Sequence, residues 1–163
     1  MSNDFYQTSI APFSGIIIKI CRAYTDSQED YEDYYQEVCL QIWRSRNNFK
    51  DKSSWSTWIY KITLNVCMTL LKKKKNNRNY FVSNTNIQEQ ISESSAFPDE
   101  NLNILYDAIK KLSEIDRAII MLYLEETPYQ EIAKIIGTSA NNIGVRVKRI
   151  KTKLKKILDG KID

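Results

Sequence analysis

The sequence contains no histidine. That removes the commonest general base, the commonest metal ligand and the usual serine or cysteine triads. Only four glycines and three prolines occur in 163 residues, and no proline interrupts a strong periodic run. Helices throughout are therefore expected, with no good hairpin signal. Cysteine is confined to Cys21, Cys39 and Cys67, an odd number, far apart in the chain and each among apolar residues of an expected helix. Such thiols read as buried and free in a reducing cytoplasm, ahead of a zinc site or a redox switch. Ile16 to Ile20 is too short and too interrupted to span a bilayer, and no basic start precedes it. The protein reads as soluble, intracellular and cytoplasmic.

What is present is charge, unevenly placed. The formal net charge is only +4, so the asymmetry along the chain says more than the total. Asp26, Glu29, Asp30, Glu32, Asp33 and Glu37 fall in one stretch without a basic residue. Lys72 to Lys75 with Arg78, and the run from Arg146 to Lys156, are strongly basic. One acidic and two basic segments point to two kinds of partner, one of them a polyanion. Acids in a first helical turn also suit the helix dipole, so part of the acidic cluster needs no partner.

In chain order, a first helix is expected over roughly Ile10–Thr25, with Phe13, Ile16, Ile17, Ile20, Cys21 and Tyr24 on one side. A second covers Ser27–Arg46, burying Tyr31, Tyr34, Tyr35, Val38, Ile42 and Trp43. Ser53 or Ser54 caps a third, WSTWIYKITLNVCMTLLKKKK, in which Trp58, Ile59, Ile62 and Val66 share helical spacing. Any one aromatic there can be packing. Rings beside lysines are also what a nucleic-acid single strand needs, since bases stack for about 1–3 kcal/mol each while lysines hold phosphates. Residues 76–100 are rich in Asn, Ser, Gln and Glu and read as a flexible linker that cannot bury enough apolar surface to offset its ordering entropy. Beyond it, Leu105, Ile109 and Leu112 begin a second core. Ser113 caps a further helix with Ile115, Ile119 and Leu122 inward. The fold class is all-α: two small helical domains, residues 1–75 and 101–163, joined by the linker over 76–100.

The second domain ends in TPYQEIAKIIGTSANNIGVRVKRIKTKLKK. Thr127 is expected to cap a helix with Pro128 in its first turn and Gln130 completing a capping box. Gly137 ends it, and Thr138 or Ser139 caps the next. Along that helix Ile143, Val147, Ile150, Leu154 and Ile157 form one apolar stripe, leaving Asn141, Asn142, Val145, Arg146 and Arg149 outward. Amides and guanidiniums on the front of a second helix are the chemistry that reads base edges in a major groove. A plain helical hairpin with a solvated basic face is the simpler alternative.

Taken together, the two units resemble the sigma factors of bacterial RNA polymerase, and most of all the short, two-domain extracytoplasmic-function group. EDYYQEVCLQIWR and FKDKSSWSTWIYKITLNVCMTLLKKKK are similar to that family's polymerase-binding and promoter-melting helices. LYDAIKKLSEIDRAIIMLYLEETPYQEIAKIIGTSANNIGVRVKRIKTKL is similar to its minus-thirty-five-reading domain. The resemblance implies core RNA polymerase and promoter DNA as partners, no cofactor, no metal, no small-molecule substrate and no covalent catalysis. Asp33, Gln36, Glu37, Trp43 and Arg44 match the polymerase-docking helix. Trp55, Trp58, Tyr60, Lys61, Asn65, Lys72 and Lys73 match the melting and minus-ten segment. In relatives an asparagine at the place of Asn65 lies by the loop that captures a flipped base; a solvated helix residue is the alternative. Ser139, Asn141, Asn142, Val145, Arg146 and Arg149 match the upstream-reading helix. An anti-sigma protein is a common partner in the family, and the exposed helices are its natural target.

Three departures limit the transfer. Thr69 stands where many relatives have aspartate. Lys72 and Lys73 replace arginines, losing the bidentate fork. Gly144 replaces a larger polar residue at about 1 kcal/mol of helix propensity relative to alanine, either to let DNA approach the backbone or because it is simply tolerated. Two other functions stay in view. A stand-alone helix-turn-helix regulator would bind a palindrome without polymerase. A nuclease would need a second acidic element paired with the one acidic helix, and none is visible.

Overall fold

The computed structural model describes residues 1–82 and 99–161, with side chains through residue 78 in the first stretch. Every regular element among them is helical. Most of the expected linker, residues 83–98, lies outside the described residues. Its opening residues are not linker-like: α4 runs unbroken over Trp55–Val82, so 76–82 extend the helix. Lysine and asparagine side chains there are tolerated because all of 75–78 are exposed.

The first helix also departs from expectation. Short α1 (Asn3–Phe5), a π-helical turn (Tyr6–Ile10) and a 3-10 turn (Ala11–Phe13) precede α2 (Ser14–Ala23). Pro12 has no N–H and its ring crowds the turn before it, so the chain changes hydrogen-bond pitch there instead of starting one clean helix at Ile10. Helix α3 covers Gln28–Ser45; the Ser27 hydroxyl accepts from the Asp30 amide at 3.1 Å. Tyr34, Val38, Cys39 and Ile42 are its buried stripe, with Tyr31, Tyr35 and Trp43 half-buried on the flanks. Ser54, not Ser53, caps α4, accepting from the Thr57 amide at 3.2 Å.

In the second half α5 (Glu100–Ile109) is capped by Asp99 and α6 (Glu114–Leu124) by Ser113. Ile119 and Leu122 are buried, whereas Ile115, expected inward, is exposed. Helix α7 is Tyr129–Ile136 and α8 is Ala140–Leu158. The expected Thr127 cap does not form. A residue before proline is pushed to extended backbone, and the helix begins one step later, with the Pro128 carbonyl accepting from Ile132 at 3.0 Å. Thr127 is buried instead, its amide bonded to the Leu122 carbonyl at 3.1 Å. Gly137 closes α7 at φ 90°, a left-handed cap where a side chain is strained.

The halves share one core. Helix α2 packs against α3 and α4 on one side and α5 and α6 on the other. This explains why six of its ten residues are buried, more than a one-sided amphipathic helix needs. Each fully buried isoleucine there, Ile17 and Ile20, contributes roughly 1.5–3 kcal/mol over exposure. Polar contacts seal the seam. Tyr24 donates to the Glu114 carbonyl at 2.6 Å, Arg22 bonds Asn103 and lies over the Tyr106 ring, and Lys19 pairs with Glu125 at 2.7 Å.

Candidate nucleic-acid interface

Helix α8 presents the arrangement its sequence promised. Ile143, Val147, Ile150 and Leu154 are buried, while Ile157 is half-buried near the end. Outward stand Asn141, Asn142, Val145 and Arg149, with Arg146 on one flank. Asn142, Val145, Arg146 and Arg149 line a groove of about 440 Å³ with Ile115, Ile136, Gly137 and Thr138. Two residues have structural duties as well. The Ser139 hydroxyl caps α8 by accepting from the Asn142 amide at 3.2 Å, and the Asn142 side-chain amide lies 2.6 Å from the Thr138 hydroxyl. A second groove of about 500 Å³ continues along the helix between Val145, Lys148, Arg149, Thr152, Lys153 and Lys156. Lys148, Thr152, Lys153 and Lys156 were not singled out from sequence, although they prolong the Val145–Arg149 row at three- and four-residue steps.

Gly144 faces neither groove. A β-carbon built there meets only the Tyr129 ring, at 3.5 and 3.7 Å. The glycine lies on the flank of α8 turned toward α7, where Lys151 also covers the Tyr123 ring at 4.3 Å.

Helix α4 sorts the expected melting residues onto different sides. Lys61, Asn65, Thr69 and Lys72 are exposed at three- and four-residue spacing, a single stripe about 17 Å long. Trp58 sits half-buried at its upper end. Trp55 packs inward instead, its indole N–H donating to the Ser9 carbonyl at 2.8 Å. Its ring lies 4.9 Å from that of Trp58, 5.1 Å from Phe49 and 6.4 Å from Phe5. Tyr60 is off the stripe and half-buried; burial, then the Glu125 and Glu131 carboxylates, raise its phenol pKa.

The acidic helix and the lysine run, read separately in sequence, lie against each other. Lys74 is ion-paired to Asp30, and Asp33, Glu37 and Lys73 line one groove of about 400 Å³ with Tyr34 and Leu70. Part of the acid therefore neutralises part of the base within the chain. Asp33, Gln36 and Arg44 remain exposed on α3 and Glu37 is half-buried. Trp43 is held between the Phe5 ring edge at 5.1 Å and the Arg46 guanidinium at 3.6 Å.

The three thiols are buried and form no disulfide, and folding brings the Sγ atoms of Cys21 and Cys67 to 3.8 Å. Burial pushes the Cys39 thiol up to about 11. The Cys67 thiol is also raised, first by its contact with Cys21 and then by burial. Among the described residues, no group of three or more His, Cys, Asp or Glu side chains could hold a metal ion, and no helix is long and apolar enough to cross a membrane.

Residues 10–77 match sigma-70 region 2 and residues 102–154 match sigma-70 region 4. The chain thus belongs to the sigma-70 family of RNA polymerase sigma factors, whose members are non-enzymatic transcription initiation factors. Within that family it is of the extracytoplasmic-function type. It is 24% identical to the sigma factor SigW of Bacillus subtilis, over 95% of this chain and 89% of that protein. It is 26% identical to the sigma-E factor of Haemophilus influenzae, over 76% of this chain and 71% of the other. A match to SigG of Mycobacterium tuberculosis is 34% identical but covers only 39% of this chain and 17% of that longer protein. In fold it is similar to the sigma factor RpoE from Bartonella quintana, solved with the anti-sigma factor NepR, at a TM-score of 0.76 and 19% identity over 98% of this chain and 99% of the other.

Proposed function

We propose that this chain is a dissociable initiation subunit of RNA polymerase, acting in the cytoplasm and catalysing no covalent chemistry itself. The observation that carries this reading is the pairing of two exposed faces of different character on one chain. Helix α8 offers amides and guanidiniums to a major groove, and α4 offers Trp58, Lys61, Asn65 and Lys72 to an opened strand. A region 2 match beside the region 4 match favours this over a stand-alone helix-turn-helix regulator, which needs only the second.

In this reading the first domain, through α4, docks on core polymerase by Asp33, Gln36, Glu37 and Arg44 and opens the promoter. The second, from Asp99 onward, reads the upstream element. The two elements lie about 25 base pairs apart by their positions, or roughly 85 Å of duplex at the helical repeat. A compact chain of this length is only about 40 Å across. The packed halves must therefore part along the α2 seam before both elements are engaged. An anti-sigma protein that grips both halves would hold them together.

Run-off transcription with core polymerase tests the proposal. Specific transcripts are expected only when this protein is added, and Asn65→Ala or Arg149→Ala should weaken them. A protein that never joins core polymerase yet shifts duplex DNA alone refutes the subunit reading.

A further inference from the structure

The seam between the halves holds a cavity that neither promoter reading nor polymerase docking uses. It measures about 180 Å³ and is lined by Tyr24, Asp26, Leu71, Lys74, Lys75, Arg78, Lys110 and Arg117. Five of those eight side chains are cations, drawn from three places: the last turns of α4, the end of α5 and the first turn of α6. Among the described residues, Asp26 is the only carboxylate in the wall. Even with the carboxylates that reach three of the lysines from outside it, Asp30 to Lys74, Glu114 to Lys75 and Asp107 to Lys110, positive charge exceeds negative by one.

The wall is also built, not merely charged. Arg117 is fixed by its guanidinium to the carbonyls of Leu112 at 3.1 Å, of Ala23 at 3.5 Å and of Lys110. Its charge lies over the Tyr24 ring at 5.6 Å. Lys110 reaches Asp26 at 3.4 Å, and Lys75 reaches Glu114 at 3.0 Å. Cations clustered in a half-enclosed pocket focus potential far more than the same charges spread on a helix face. The burial that lowers the Arg117 pKa is the same cost that an anion would relieve.

From this geometry we infer that the seam binds the phosphate chain of a small, multiply phosphorylated ligand. The volume sets the size: at about 30 Å³ per water it holds roughly six waters, room for two or three linked phosphates and far too little for a duplex. Lysines and arginines together suit such a chain, the former as point charges and the latter as forks. Because cations from both halves converge on it, the ligand stabilises the closed arrangement by mass action. Its effect on initiation rests on the proposed function above; the binding itself does not.

Calorimetric titration of the full chain with inorganic triphosphate at low salt tests the site. Saturable one-to-one binding is expected, together with a rise in melting temperature. Arg78→Gln with Lys110→Gln should weaken it at least tenfold, whereas Lys153→Gln with Lys156→Gln on α8, equal in charge removed, should not. Arg78 is exposed and Lys110 half-buried, and far-ultraviolet circular dichroism checks that each variant remains folded. Repeating the titration with a nucleoside triphosphate separates the sources. Equal affinity means the phosphate chain is the whole ligand, and a tenfold gain means that base or sugar adds contacts. Equal weakening by both pairs, or no saturation below millimolar triphosphate, overturns the site.

Discussion

Replacing Gly144 by alanine separates two physical accounts of that position. Alanine gains about 0.8–1.0 kcal/mol of helix propensity over glycine in a helix interior. Its methyl would touch the Tyr129 ring at 3.5 and 3.7 Å, ordinary van der Waals contact with nothing to push aside. Half-burial of one carbon adds less than the roughly 0.8 kcal/mol of a fully buried methylene. A net gain of about 1–1.5 kcal/mol follows, or a rise of about 2–6 °C in melting temperature for a chain of this length unfolding as one unit. Thermal unfolding followed by circular dichroism measures the first quantity, and duplex binding to a cognate upstream element measures the second. Because the glycine faces α7, binding should stay within a factor of two. A stable variant that has lost tenfold in DNA affinity would refute this reasoning and restore the alternative, a backbone laid bare for DNA. A melting temperature that falls would show that the Tyr129 ring cannot accept the methyl.

Trp55→Ala should cost roughly 3–5 kcal/mol in chemical denaturation, since it empties the cluster around Phe5, Phe49 and Trp58, whereas exposed Asn65→Ala should leave stability within about 0.5 kcal/mol. On α8, Arg149→Ala should lose about 1–3 kcal/mol at particular base pairs of the upstream element, measured by competition between single-base variants. Lys153→Ala should instead weaken all sequences alike and reduce the salt slope by about 0.9, read from binding across a salt series. The raised Cys39 pKa favours the folded state while the thiol is protonated. That contribution is complete below the ordinary thiol value of 9.0 and is lost as pH climbs toward about 11, so denaturant midpoints should fall over that window and fall less in Cys39→Ala. Alkylation of all three thiols at pH 8 should be slow in the folded protein and fast in denaturant.

The periodic features were legible in the chain because each depends on neighbours within one helical turn. The α8 stripe, the Ser113 cap, the left-handed stop at Gly137 and the outward Asn141–Arg149 face needed nothing but local spacing. Even locally, competition misled the reading at Thr127. A capping box was plausible there, but the constraint that Pro128 places on the preceding residue prevailed and Thr127 is buried instead. Composition misled it at residues 76–82, where a run opening on exposed Asn76, Asn77 and Arg78 reads equally as linker or as the end of a helix.

Tertiary structure alone decided what meets across the sequence. Asp30 and Lys74 are 44 positions apart, so the acidic and basic segments looked like surfaces for separate partners until α3 and α4 packed together. Cys21 and Cys67, unrelated by spacing, meet because α2 crosses α4. The division of the tryptophans, with Trp55 inward and Trp58 at the edge of the exposed stripe, depends on where the N-terminal turns lie. The cationic cavity exists only because α4, α5 and α6 converge on α2. Helix periodicity is a property of consecutive residues, but charge pairing and cavities belong to whichever faces the core brings together.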